Sequence, residues 1–125
     1  MKDENFSLRR RLAGFKYAFR GIRLLLRYEH NAWIHAAIGI CTVAAGFFFR
    51  ISPVEWVEVI LVIGVVLAAE AFNSAIEKLS DVVSPEYSEA IRSIKDIAAG
   101  AVLFTAIAAA LIGIIIFLPK LIAFC

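Results

Sequence analysis

The fold depends on the stretch Glu70-Ala71-Phe72-Asn73-Ser74-Ala75-Ile76-Glu77-Lys78-Leu79-Ser80-Asp81, which begins in apolar sequence and ends in polar sequence. If it is helical, each residue turns the chain by about 100°, and its polar side chains form one stripe roughly 60° wide. The stripe consists of Glu70, Ser74, Glu77 and Asp81, with Asn73 beside it. Carboxylates on one face repel each other, and an ionised carboxylate in hydrocarbon costs at least ~2.5 kcal/mol. We therefore expect a divalent metal and basic side chains to face the stripe.

The composition predicts an integral membrane protein. The chain has 125 residues, of which 62% are hydrophobic and 19% charged, and this is too apolar for a soluble domain of its size. The length indicates one domain, residues 1–125. Cys41 and Cys125 lie in apolar runs without CxxC spacing, so we expect both to be inert thiols.

The hydrophobic pattern predicts an all-α membrane protein with one surface helix and three transmembrane helices. Residues 8–28 carry apolar side chains at steps of three and four with basic residues between them, which is typical of an amphipathic helix in the membrane interface. A helix packed on its own bundle fits this pattern equally well. The predicted spans are residues 32–49, 56–75 and 97–118, the last closed by Pro119-Lys120. His35 lies one turn inside the first span, where it either hydrogen-bonds a neighbouring helix or takes part in function.

The distribution of basic residues predicts the orientation. Of the 13 Lys and Arg residues, 8 precede Trp33, 3 follow the second span (Lys78, Arg92 and Lys95), and the remaining 2 are Arg50 and Lys120. Because cytoplasmic loops carry the excess of positive charge, we expect the N-terminus and the polar stripe to face the cytoplasm. A nucleic-acid-binding arm is a poor alternative, since the rest of the chain is membrane-like.

The residues in and near the stripe suit phosphoryl transfer. The chain contains no GxxxxGK[ST], GxGxxG, HExxH or GxSxG motif. Glu70, deeper in the apolar layer, is a candidate general base toward a lipid hydroxyl, and Glu77, nearer the cytoplasm, is the better Mg²⁺ ligand. Lys95 and Arg10 are suited to bind phosphates. Residue types alone leave two alternatives open, a transporter or a non-enzymatic assembly subunit whose polar stripe conducts ions or joins helices.

The motif of the stripe resembles that of a known family. Glu70-x-x-Asn73-Ser74-Ala75-Ile76-Glu77-x-x-x-Asp81, followed by Lys95-Asp96-x-x-x-Gly100-Ala101-Val102, is similar to the pattern of bacterial diacylglycerol and undecaprenol kinases. Arg10, Gly21, Arg23 and Glu29 match it as well. The resemblance implies a homotrimer of three-span protomers in the bacterial cytoplasmic (inner) membrane. Its active sites would be shared between protomers, and it would phosphorylate a lipid alcohol with Mg-ATP.

The same resemblance implies roles for individual residues. It makes Glu70 the catalytic base, and Glu29 and Glu77 the ligands of Mg²⁺. It places ATP among Arg10, Tyr17, Glu29, Glu77, Glu86, Lys95 and Asp96, with Asn73 and Asp81 in support. It lines the lipid site with Arg10, Arg23, Glu70 and Ala99. Ser88 stands where enterobacterial diacylglycerol kinases tend to have a His, which weakens the expectation for nucleotide contacts in this loop.

The identity of the lipid is predicted from smaller differences. Asn31-x-x-Ile34-His35, Val54-Glu55-Trp56 and the ending Ile116-Phe117-Leu118-Pro119-Lys120-Leu121 resemble the undecaprenol kinase branch. Enterobacterial diacylglycerol kinases carry a Glu at the position of His35. The resemblance therefore favours undecaprenol over diacylglycerol.

Overall fold

Four helices make up the part of the chain that the structure describes. The computed structural model describes residues 7–125, so residues 1–6 of the predicted domain lie outside the described residues. The helices are α1 (Leu8–Tyr28), α2 (His30–Phe49), α3 (Pro53–Val83) and α4 (Glu89–Phe124). Residues 7–125 contain no strand, and α2, α3 and α4 are each long and apolar enough to cross a membrane. The expected all-helical architecture with three candidate spans is confirmed.

A single residue separates α1 from α2. Helix α1 begins where the Ser7 side chain accepts a hydrogen bond from the backbone N–H of Arg10 at 3.3 Å. It ends at Glu29, whose backbone is extended (φ −114°, ψ 111°) and whose N–H still donates to the carbonyl of Leu25. Glu29 is also the residue that precedes α2. The orientation of α1 relative to α2 is therefore set by one pair of dihedral angles.

The turn between α2 and α3 is short and well capped. Arg50 takes the left-handed conformation (φ 53°), and Ile51 N–H donates to the Gly46 carbonyl at 3.1 Å, which ends α2. Pro53 then opens α3, and Ser52 and Glu55 form a capping box. Gly46 is required at the turn because a Cβ there would lie 2.7 Å from the Trp56 ring.

Helices α3 and α4 extend beyond the lengths expected from hydropathy. Their 31 and 36 residues correspond to ~46 and ~54 Å, against about 30 Å for the hydrocarbon core of a bilayer. The sequence predicted that Pro119 closes the third span, but α4 continues through it to Phe124. The N–H that proline lacks would have bonded within the last turns only, and Lys120 supports this end by donating to Glu55 at 2.7 Å and to the Ile116 carbonyl at 3.2 Å.

The three long helices pack mainly through α3. It lies along both α4 and α2, while α2 and α4 contact each other much less, through ring pairs such as Phe48 with Phe124 and Phe49 with Phe117. The small core at that end consists of Ile51, Val59 and Ile116. Most other large apolar side chains are exposed in the single chain, as expected for helices that face lipid or other protomers. The opposite ends of the helices leave the polar stripe open to α1.

Candidate active site

Glu70 is the most deeply buried acid of the stripe. It lies on α3 with 2% of its surface exposed, and its Oε2 is 3.3 Å from Nε2 of His35 on α2. A buried carboxylate needs a partner that compensates for lost hydration. The contact with His35 supplies that partner, and it brings a titratable ring to the candidate base.

One turn further along α3, two polar atoms lack partners. Among residues 7–125, the side-chain Oδ1 of Asn73 and the Oγ of Ser74 are buried and find no hydrogen-bond partner. An unpaired buried acceptor or hydroxyl costs about 1–3 kcal/mol. Such atoms next to a candidate catalytic base are suited to bind a ligand that supplies the missing donor, acceptor or cation.

A cavity of about 390 Å³ separates α1 from this part of α3. Glu29, Ser74 and Lys78 line its polar part, and Ala18, Gly21, Ile22, Leu24, Leu25, Ala71 and Ala75 line the rest. The Lys78 ammonium lies 5.3 Å from the centre of the Tyr28 ring, which ties the end of α1 to α3. The cavity thus brings a carboxylate, a hydroxyl and a cation together beside an apolar wall.

Further along, the stripe meets α4. Lys95 Nζ lies 2.7 Å from Asp81 Oδ1, which joins α3 and α4 beyond the loop at residues 84–88. Asp96 lies 3.3 Å from Arg92 on its own helix, and both side chains are exposed. The predicted phosphate-binding lysine and the predicted nucleotide contact Asp96 therefore both have ionic partners in this structure.

The remaining predicted residues are not gathered around the cavity. Arg10 and Tyr17 lie on the first half of α1, Arg23 is exposed further along it, and Glu86 is in the exposed loop. Ala99 is exposed on α4. None of these five side chains lines the cavity between α1 and α3. The structure of one chain thus assembles the α3 half of the predicted site and leaves the other half dispersed.

The predicted metal ligands are Glu29 and Glu77. Between residues 7 and 125, no group of three or more His, Cys, Asp or Glu side chains is arranged to hold a metal ion. Glu29 lines the cavity and Glu77 is half-buried two turns beyond Glu70 on α3. Mg²⁺ needs only one or two carboxylates when substrate phosphates and water complete its shell, and the unpaired Asn73 oxygen adds a further acceptor. The residues present fit such a cation.

The site contains two contacts that sequence reasoning left out or open. The sequence left the role of His35 undecided, and it did not connect Lys78 with Tyr28. Each contact joins two neighbouring helices, α2 with α3 for His35–Glu70 and α1 with α3 for Tyr28–Lys78. That signal is readable once helix pairing is known, but hydrophobic periodicity alone does not supply it.

Comparisons with known proteins give one consistent result. The family described as prokaryotic diacylglycerol kinase matches residues 16–117, a range that includes every candidate residue except Arg10. The chain is 38% identical over 120 residues to the undecaprenol kinase of Bacillus subtilis (strain 168), an alignment covering 96% of this chain and 98% of that protein. It is 32% identical over 113 residues to a diacylglycerol kinase of Synechocystis sp., covering 90% and 65%. It is 31% identical over 100 residues to a diacylglycerol kinase of Sinorhizobium sp., covering 76% and 69%.

Proposed function

The chain belongs to the prokaryotic diacylglycerol kinase family and is a lipid kinase, and from this premise we propose that it phosphorylates undecaprenol with Mg-ATP. The observation that supports this lipid is the alignment with the Bacillus undecaprenol kinase, which covers nearly the whole of both chains. The alignments with the two diacylglycerol kinases cover 65% and 69% of those proteins. Diacylglycerol is the second candidate, since those relatives act on it.

Glu70 takes the proton from the lipid hydroxyl in this proposal. The hydroxyl oxygen forms a bond to the γ-phosphorus of ATP, the bond from that phosphorus to the β-bridging oxygen breaks, and ADP leaves. A carboxylate with 2% of its surface exposed supports this role, because it is shielded from bulk water. Arg23, Ala99 and Arg10 would contact the lipid.

Glu29 and Glu77 would hold Mg²⁺, with Asn73 in support. The cation, when bound with ATP, neutralises the charge that develops on the β- and γ-phosphates. Glu77 lies on α3, and Glu29 is the junction between α1 and α2.

The nucleotide would bind at the cytoplasmic ends of α3 and α4, with contacts from Arg10, Tyr17, Glu86, Lys95 and Asp96. Lys95 is bound to Asp81 in this structure, so nucleotide binding would exchange a carboxylate partner for a phosphate. Both are oxyanions, and the exchange retains the compensation of the ammonium charge. Asp81 thus holds Lys95 in place until phosphate binds.

We further propose a homotrimer with shared active sites, in which α1 is an amphipathic helix on the membrane surface. The dispersed residues Arg10, Tyr17, Glu86 and Ala99, together with the exposed apolar side chains of α2–α4, support completion of each site by a neighbouring protomer. The mass of the protein in detergent, measured by light scattering, should be three times the 13.8 kDa of one chain. A monomer with full activity would contradict the shared site.

The proposed location is the bacterial inner membrane with the N-terminus in the cytoplasm. This orientation is supported by the 11 basic residues that lie before the first span or between the second and third spans. Only 2 basic residues, Arg50 and Lys120, lie on the other side. The orientation places the polar stripe on the side where ATP is present.

Product analysis tests the proposed activity. Purified protein in detergent is given Mg-ATP labelled with ³²P and an equimolar mixture of undecaprenol and diacylglycerol, and the products are separated by thin-layer chromatography. We expect label in undecaprenyl phosphate. If the label is mainly in phosphatidic acid, the substrate is diacylglycerol and not undecaprenol. If no lipid is labelled, both proposed substrates are contradicted. In that last case, cation flux in liposomes would revive the transporter alternative.

A further inference from the structure

We propose that His35 is a positioning residue for Glu70, holding one carboxylate oxygen so that the other receives the proton of the lipid hydroxyl. The proposal rests on the role proposed for Glu70 above. It names the group that orients the base, and it explains a titratable side chain to which neither motif nor composition gave a role.

Nε2 of His35 lies 3.3 Å from Oε2 of Glu70, and the two residues come from different helices, α2 and α3. Glu70 is nearly inaccessible at 2%, and His35 retains 21% of its side-chain surface. A pair this deeply placed is weakly screened by water, so its interaction is stronger than that of a surface pair.

The polar neighbours of Glu70 on α3 do not replace His35 as its partner. The oxygen Oδ1 of Asn73 and the Oγ of Ser74 are both without a hydrogen-bond partner, so neither of these atoms is bonded to Glu70. The basic residues of the site lie further along the stripe, where Lys95 is bound to Asp81 and Lys78 lies over Tyr28. Of these basic side chains, His35 is therefore the one that the structure places at Glu70.

Apart from Glu70, the surroundings of the His35 ring are mainly apolar. His35 also lines an apolar cavity of about 320 Å³ between α2, α3 and α4. No other ionisable side chain lines this cavity, and the Thr42 hydroxyl there donates to the backbone carbonyl of Ile38. The residues of α4 that face the cavity are apolar, among them Ala106, Ala109 and Phe117. The ring thus has one charged partner among these residues, and that partner is the candidate base.

A carboxylate held at one oxygen acts more efficiently as a base. The side chain of Glu has three rotatable bonds, and a contact that fixes one oxygen selects the rotamer in which the other is directed to substrate. Correct placement of a base accounts for part of its contribution to rate. His35 does not exchange protons with the substrate in this proposal.

Steady-state kinetics on the purified full-length protein test the proposal, with whichever lipid alcohol the wild-type chain phosphorylates. We expect His35→Ala to lower kcat by roughly 10- to 100-fold, a fraction of the contribution of a general base, with the KM for Mg-ATP unchanged. His35→Gln retains an N–H donor of similar reach and should recover part of the loss. Thr42→Val alters another polar residue of the same cavity and should leave kcat unchanged. An unchanged kcat in His35→Ala, or no recovery in His35→Gln, would overturn the proposal.

A double-mutant cycle separates positioning from general damage. In a Glu70→Asp background the shortened carboxylate no longer reaches His35, so His35→Ala should cause less than a threefold further loss of kcat. A further loss as large as that in the wild-type background would show that His35 acts independently of Glu70 and would contradict the proposal.

A spectroscopic measurement gives a result that does not depend on turnover. The chain has two histidines, His30 and His35, and His30 is exposed at the start of α2. In ¹⁵N NMR spectra of the labelled protein, Glu70→Gln should shift the ring nitrogens of His35 and leave those of His30 in place. Unshifted His35 signals would refute the contact itself. If the shift is seen in a chain that phosphorylates no lipid, the contact stands and the proposed function fails.

Discussion

Glu70 is an ionisable residue on the apolar helix α3, and its side chain is almost completely buried. Placing such a group there is costly unless it has a partner, and its partner in the structure is another titratable side chain, on α2. An ionisable residue within a membrane span is a candidate functional residue. At the scale of the residue, this is the strongest physical reason to assign the chemistry to α3.

Replacing Glu70 by the isosteric amide tests its role directly. Glu70→Gln keeps the volume and removes the proton acceptor, so we expect kcat to fall by at least ~10²-fold. Phosphate transfer from Mg-ATP to the lipid is the measurement. Glu58→Gln is the matched control, because Glu58 is an exposed glutamate on the same helix, and its activity should equal that of the wild type. Full turnover in Glu70→Gln would remove this residue from catalysis.

The proposed metal ligands give a second residue-level prediction. Glu29→Gln and Glu77→Gln should each raise the Mg²⁺ concentration needed for half-maximal activity by about tenfold, since an amide is a weaker ligand for a hard cation than a carboxylate. A Mg²⁺ titration at fixed ATP measures this. Glu89→Gln, an exposed acid in the first turn of α4, is the control. Titration curves that coincide with that of the control would count against both ligands.

How far the site could be read from the sequence is clearest at His35. Helical periodicity places Glu70, Ser74 and Glu77 on one face without any structure, because the period of a helix is fixed. The partner of Glu70 requires knowing which helices adjoin. Counted from the turn, His35 lies 14 residues before Phe49 and Glu70 lies 17 after Pro53, about 21 and 26 Å along their helices. The depths agree, but the facing directions depend on side-chain packing.

At the scale of the element, the turn between α2 and α3 is fixed by close contacts. Three features meet there: the left-handed conformation of Arg50, the capping box of Ser52 and Glu55, and the ion pair of Glu55 with Lys120. Gly46 faces the Trp56 ring so closely that a methyl group does not fit without a shift. This end of the bundle holds its helices in register.

Gly46→Ala should therefore destabilise the protein. The new Cβ would lie 2.7 Å from Trp56 and 3.1 Å from Ile51, and overpacking of this kind costs about 1–3 kcal/mol. Thermal unfolding in detergent, followed by circular dichroism, should show a lower Tm. Gly14→Ala is the matched control, because nothing lies within 4 Å of its added Cβ, and its Tm should be unchanged or higher. Equal melting temperatures would contradict the contact.

Element boundaries were less accessible from the sequence than element types. The breaks at Glu29 and in the loop at residues 84–88 coincide with interruptions of the apolar pattern. Pro119 was expected to end the last span, yet α4 continues to Phe124, and directly after the proline Lys120 is bound to Glu55 and to the Ile116 carbonyl. That support is a contact between residues 65 positions apart, and local propensity contains no information about it.

At the scale of the whole molecule, the chain presents far more apolar surface than it covers. Within residues 7–125 only six hydrophobic side chains are buried, and the polar stripe is covered on part of its length by α1. In the membrane, lipid and the neighbouring protomers of the proposed trimer would cover the rest. The single chain therefore defines the fold, and the proposed complete site belongs to the assembly.

The two native cysteines provide a test of the proposed orientation. Both are free and exposed, Cys41 within α2 and Cys125 at the end of the chain. In intact cells that produce the Cys41→Ser variant, a membrane-impermeant maleimide should label Cys125, because three spans place the C-terminus opposite the N-terminus. The Cys125→Ser variant is the control and should remain unlabelled, because Cys41 lies within α2, one of the candidate spans. Labelling of Cys125 only after permeabilisation would reverse the orientation.

The junction at Glu29 has a consequence for how this chain can vary in length. One extended residue joins two helices, so an inserted or deleted residue would rotate α1 by about 100° about its axis and move Glu29 away from the cavity. The loop at residues 84–88 has no such constraint and should accept additional residues. Insertion of single residues along the chain should therefore abolish activity at Glu29 and be tolerated in the loop at residues 84–88. The length of the chain is constrained only where α1 joins α2.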